Sequence, residues 1–93
     1  MREFVALVGR EIRLEGAYWF GSTTRQGAGE ASDIDVALVS PDFKGVRFDD
    51  AKRLFPLVIR VDSRIEVHPY PPSKFHEGTP LVAEILRTGK KVA

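Results

Sequence analysis

The sequence predicts a small α/β domain in which helices pack against a mixed β-sheet. Three observations carry this. Apolar residues recur at helical spacing near both ends and in the middle, short β-rich runs separate them, and Gly or Pro stands at the junctions. The chain has 93 residues, with fourteen Lys and Arg against thirteen Asp and Glu and no cysteine. At roughly 100–200 residues per domain this reads as one small domain over residues 1–93.

The elements follow in order. Phe4, Val8 and Ile12 stand at i, i+4 spacing with Val5 beside them, which predicts an amphipathic helix over residues 2–14, stopped by Gly16. Ala17-Tyr18-Trp19-Phe20 reads as a short aromatic strand ending at Gly21. Thr23 to Gln26 has the form of a capping box, so a short helix is expected to open there. Gly27 and Gly29 with the small residues around them make a loop. Residues Asp33 to Val39 form the best strand, closed by Ser40-Pro41, and Pro41 to Phe48 reads as an exposed connection.

Asp49 and Asp50 occupy positions suited to an N-cap and a first-turn acid, ahead of Ala51, Leu54, Phe55, Val58 and Val61 at helical spacing. Pro56 inside that run is expected to kink or split the helix. The alternative is a hairpin of Leu57–Val61 with Arg64–Tyr70 around Asp62-Ser63; helix then strand is preferred. Ile65 to His68 reads as a strand ended by Pro69, Pro71 and Pro72. Pro80 to Thr88 reads as a last helix, with Leu81, Ile85 and Thr88 on one face, Val82 and Leu86 adjoining it, and Gly89 at C′.

Composition narrows the function classes. Apolar residues at 43% and charged residues at 29% fit a folded domain rather than a disordered tail. A net charge of +1 supplies no general field for nucleic acid or an anionic membrane, so no strong nucleic-acid binding is expected. The lack of cysteine excludes disulfides and thiolate metal sites and fits a reducing cytoplasm. Glu3, Gly9 and Arg10 break the opening apolar residues, and no run approaches the ~20 residues needed to span a bilayer. The expectation is a cytoplasmic protein without a membrane segment.

Asp33 and Asp35 are the informative pair. On a strand, residues i and i+2 share a face and lie roughly 6.6 Å apart, leaving Ile34, Val36 and Leu38 for the core. Adjacent carboxylates repel, and a hard divalent cation such as Mg²⁺ is one reason to place them together. A solvated strand face is the plainer meaning of D-x-D alone. Glu66 stands on another expected strand with Ile65 and Val67 opposed to it, and would add a third acid. Gly21-Ser22 lies between a strand and an expected helix, where backbone N–H groups and a hydroxyl can hold phosphate oxygens. A plain turn with a Ser cap is its commoner meaning.

Phe20-Gly21-Ser22, with ten residues separating Ser22 from Asp33, and then Ser32-Asp33-Ile34-Asp35-Val36, resembles the signature of the polymerase-beta-type nucleotidyltransferase superfamily. Among its members the chain resembles the minimal nucleotidyltransferases, written MNT. Arg64 to Tyr70 resembles the strand that carries their third acid, and Leu81 to Gly89 their closing helix. Two departures are visible. Thr23 stands where many relatives have Arg, while Arg25 matches a second Arg that is followed here by Gln26 rather than Gly. The third acid is Glu66 rather than Asp.

The resemblance implies a nucleotidyltransferase-like fold and transfer of AMP from ATP to an acceptor hydroxyl. It implies two Mg²⁺ ions held by Asp33, Asp35 and Glu66, with Gly21, Ser22 and Arg25 on the nucleotide phosphates. It further implies an antitoxin-like role, the acceptor being a tyrosine of a helical HEPN-type protein, in a homo- or hetero-oligomer. The alternatives are a non-catalytic binding module that neutralises its partner by contact, and transfer to a small hydroxylated molecule. His68 shares a strand face with Glu66, where it could touch substrate or orient Glu66; a partly buried, hydrogen-bonded His is the commoner case. His76 has no assigned role. Trp19 and Phe20 read as core, and Arg60, Arg64, Lys90 and Lys91 as solvated surface.

Overall fold

The computed structural model describes residues 1–21 and 33–93. The short helix expected from Thr23 lies outside these residues. Helix α1 (Arg2–Glu11) buries Phe4 and Val8, as the i, i+4 spacing predicts. It ends at Glu11 rather than at residue 14, because Ile12 turns extended at φ −138° while its amide still donates to the Val8 carbonyl. That turn carries the Ile12 side chain into the core. Gly16 is not the helix stop: it opens strand β1 (Gly16–Phe20), opposite Val39.

Strand β2 (Ile34–Val39) runs antiparallel to β1. Strand β3 (Ile65–Tyr70) runs parallel to β2 on its other side. A two-residue strand β4 (Lys90–Lys91) pairs with β1, giving a mixed sheet in the order β3-β2-β1-β4. Lys90 and Lys91 are exposed as expected but lie in a strand, and Lys90 Nζ stands 5.4 Å from the centre of the Trp19 ring.

Between β2 and β3 runs helix α2 (Arg47–Val61), undivided despite Pro56. Lys52, whose carbonyl loses its partner to Pro56, is exposed, so water can replace the missing bond. Helix then strand is therefore the arrangement, and the hairpin is excluded. The helix starts at Arg47 with Val46 at the N-cap, so Asp49 does not cap it, while Asp49 and Asp50 both stand in its first turn, where an acid was expected. Asp50 is also buried and accepts hydrogen bonds from the amides of Lys44 and Gly45, both at 2.9 Å. It pins the turn that leads into its own helix.

Helix α3 (Pro80–Thr88) has the expected bounds, but its buried residues are Val82 and Ile85, while Leu81 is exposed. Gly89 follows at φ −72°, which is ordinary extended backbone and not a left-handed C′ position. Glycine fits there for space: a Cβ would lie 2.6 Å from the Ile85 carbonyl oxygen.

The sheet has two covered faces. On one, Ala17, Val36, Leu38, Ile65 and Val67 pack with Phe4 and Val8 of α1 and Leu54 and Val58 of α2. On the other, Phe20 and Ala37 pack with Ile85 of α3, and Tyr18, Tyr70 and Phe75 close around them. Strand alternation then puts Asp35, Glu66 and His68 on this second face.

Strand β3 does not end at His68 but runs on through Pro69 to Tyr70. Arg64 and Tyr70 turn their carbonyls toward β2, accepting from the amides of Ile34 and Ser40 at 2.9 and 3.1 Å. By alternation Val67 and Pro69 turn their backbone groups outward, so the N–H that proline lacks is missing from the free edge and not from the ladder.

Candidate active site

The site grows out of strand register. Phe20 of β1 lies opposite Asp35 of β2, and Asp35 lies opposite Glu66 of β3. Adjacent strands sit about 4.8 Å apart, so register alone brings the two acids together. His68, two residues beyond Glu66, leans back along the same face: its Nε2 is 3.1 Å from Asp35 Oδ1. The Phe20 ring meets the imidazole edge-on, with centres 5.0 Å apart.

Arg47, the first residue of α2, reaches these groups past the free edge of β3. One of its terminal nitrogens, Nη2, is 3.1 Å from His68 Nδ1 and 3.5 Å from Glu66 Oε1. The two halves of this chain of contacts differ in shelter. The His68 and Asp35 side chains are 13% and 24% exposed, against 61% and 49% for Arg47 and Glu66. The Arg47–Glu66 pair thus lies in water and contributes little to stability, whereas the His68–Asp35 contact is partly shielded.

Gly21 ends β1 beside Asp35. Its φ is +88°, a region that L side chains rarely adopt, and a Cβ there would lie 2.5 Å from Asp35 Oδ2. Only a hydrogen fits between the backbone and that oxygen. Asp33 is exposed and immediately precedes β2. Ser22 and Arg25 lie outside the described residues.

Oxygen or nitrogen atoms of Asp35, Glu66 and His68 all lie within 4.8 Å of one another, the one such cluster among the described residues. Two carboxylates converging at this range suit a divalent cation, and the imidazole stands beside them. Nearby, Tyr70 has its phenol pushed above the ordinary 10.0 by burial, while the Arg47 charge acts in the opposite direction.

Sequence reasoning found both acids but not Arg47, which comes from another element and carries no local spacing signal. It placed His68 on the correct face and favoured a half-buried, hydrogen-bonded role, which is what the structure has; the bonded acid is Asp35 rather than Glu66. No described helix is long and apolar enough to cross a membrane.

No curated protein and no solved structure matches the chain. A family model described as a nucleotidyltransferase domain does, over residues 1–92, which takes in every element of the sheet and the whole of the cluster around Asp35. The chain therefore belongs to the nucleotidyltransferase domain family, and nucleotidyl transfer is its class of chemistry.

Proposed function

We propose that this domain transfers AMP from ATP to the hydroxyl of a partner protein, a tyrosine of a helical HEPN-type protein, as an MNT antitoxin does. The observation that carries the catalytic part is the meeting of Asp35 and Glu66 on adjacent strands, facing the glycine turn at the end of β1. Asp35 and Glu66, with Asp33 just before β2, are the residues that would hold Mg²⁺. When bound, such ions polarise the acceptor oxygen and neutralise the triphosphate.

The chain's own part is to position and to take a proton. The acceptor oxygen attacks the α-phosphorus, the bond to the bridging oxygen of pyrophosphate breaks, and the acceptor proton passes to a carboxylate, for which Glu66 is the candidate. The backbone of Gly21 gives phosphate oxygens close approach, and the family resemblance assigns Ser22 and Arg25 to the same phosphates. Support for a protein acceptor comes from α2. Phe48, Phe55 and Ile59 are 73%, 57% and 56% exposed there, and Phe48 and Phe55 border a groove of about 440 Å³ that Arg47 and Glu66 also line.

The test is transfer of labelled α-phosphate from ATP to a candidate HEPN-type partner. Wild type should label it. Asp35→Asn should lower the rate by more than about 100-fold, beyond the ~10–100-fold typical for loss of an outer-sphere group. Equal labelling by the variant would overturn the assignment. The same exposed face of α2 also favours a second reading, a binding module that neutralises its partner by contact. Calorimetry on the complex separates the two: no heat with Mg²⁺ and ATP would favour the binding module.

A further inference from the structure

His68 offers a nitrogen to the cluster and could be counted as a third ligand of the cation. The hydrogen-bond roles argue otherwise. A guanidinium only donates, so the contact from Arg47 Nη2 at 3.1 Å requires Nδ1 of His68 to be the bare, accepting nitrogen. The proton of the neutral ring then sits on Nε2, and Nε2 is the atom 3.1 Å from Asp35 Oδ1. A nitrogen that carries a proton and donates it to a carboxylate has no lone pair for a metal.

We infer that His68 is a positioning residue for Asp35, with its tautomer set by Arg47, and that it is not a metal ligand. This rests on the reading of Asp35 and Glu66 as cation-holding groups. Three elements fix the ring: Phe20 of β1 meets it edge-on at 5.0 Å, Asp35 of β2 accepts from it, and Arg47 of α2 donates to it. Asp35 Oδ1 is held by His68, and its Oδ2 lies in the space that a Cβ at residue 21 would fill. A carboxylate held this way meets its ion with little rotational freedom left to lose. Arg47 also reaches Glu66, so one guanidinium links the placement of both acids.

The first measurement is long-range proton–nitrogen NMR on the labelled full chain without metal. The chain has two histidines, and the Gly78 amide donates to His76 Nδ1 at 3.0 Å, so His76→Gln is used to isolate the His68 signals. His68 should show the Nε2–H tautomer, and Arg47→Ala should raise the share of Nδ1–H. The second is Mn²⁺ titration with pulsed EPR. His68→Gln keeps one donor and one acceptor and should bind Mn²⁺ within about threefold of wild type, while His68→Ala should bind about tenfold more weakly. No nitrogen coupling of a directly bound imidazole should appear. An Nδ1–H tautomer in the metal-free wild type, a metal-bound imidazole nitrogen, or equal damage by Gln and Ala would overturn the inference. Failure of the wild type to bind Mn²⁺ would instead remove the cation reading of Asp35 and Glu66, and the tautomer would still decide the role of His68.

Discussion

At Gly21 a hydrogen stands where any other residue would press a carbon against the Asp35 carboxylate. Gly21→Ala meets two costs at once: about 1–2 kcal/mol for a side chain at positive φ, and displacement of Asp35. Urea denaturation should show a loss of about that size or more, and Mn²⁺ affinity should fall with it; an unchanged affinity would mean Asp35 does not need its present place. Asp35 and Glu66 were legible because residue type and strand alternation are both local properties. Asp49 reads as a cap because an acid ahead of an apolar run looks like one. Nothing local in the sequence shows that Asp50, a first-turn acid as expected, also binds the amides of the turn before it.

Elements are legible where their pattern is repeated and ambiguous where one residue decides. The runs around Phe4, Val36, Leu54 and Val82 gave the right types of element because several apolar residues agree in each. Pro56 and Pro69 did not stop their elements, since what matters is where the missing N–H would have pointed. In α2 the orphaned carbonyl belongs to an exposed residue, so Pro56→Ala should restore a helix bond without disturbing the core. Chemical denaturation should show a gain of about 1–3 kcal/mol, and a loss would mean the proline ring packs usefully.

The turn from α2 to β3 is held by Asp62, which pairs with Arg64 at 2.9 Å. Hydrogen bonds from the Arg64 side chain and backbone hold its carboxyl down at about 2, against 3.8 without them. A lowered acid pKa stabilises the fold above 3.8 and loses that contribution as pH falls toward 2. In acid titrations of stability, Asp62→Asn should therefore be less stable than wild type above that window, and the difference should vanish through it. A constant difference would assign the residue a role other than its charge.

For the molecule as a whole, the larger core lies on one face of the sheet, and the candidate site shares the other with the smaller cluster of Phe20, Ala37 and Ile85. Leu38 points into the face covered by α1 and α2, and it is fully buried. Leu38→Ala should cost about 2–5 kcal/mol of stability, whereas Asp35→Asn, on the other face, should remove transfer and leave the fold in place. Circular dichroism and thermal melts on both variants test the division, and comparable unfolding by the two would refute it. Sheet order was the part least legible in sequence. It depends on which strands meet across long separations, and a two-residue strand such as β4 has no periodicity to announce it.

Both margins of that sheet are guarded. Pro69 interrupts the outward backbone of β3, and the short β4 presents two exposed lysines. These features disfavour the addition of another chain by backbone pairing, which is indifferent to sequence. Edges blunted in this way leave recognition to side chains, whose pattern is particular to the sequence.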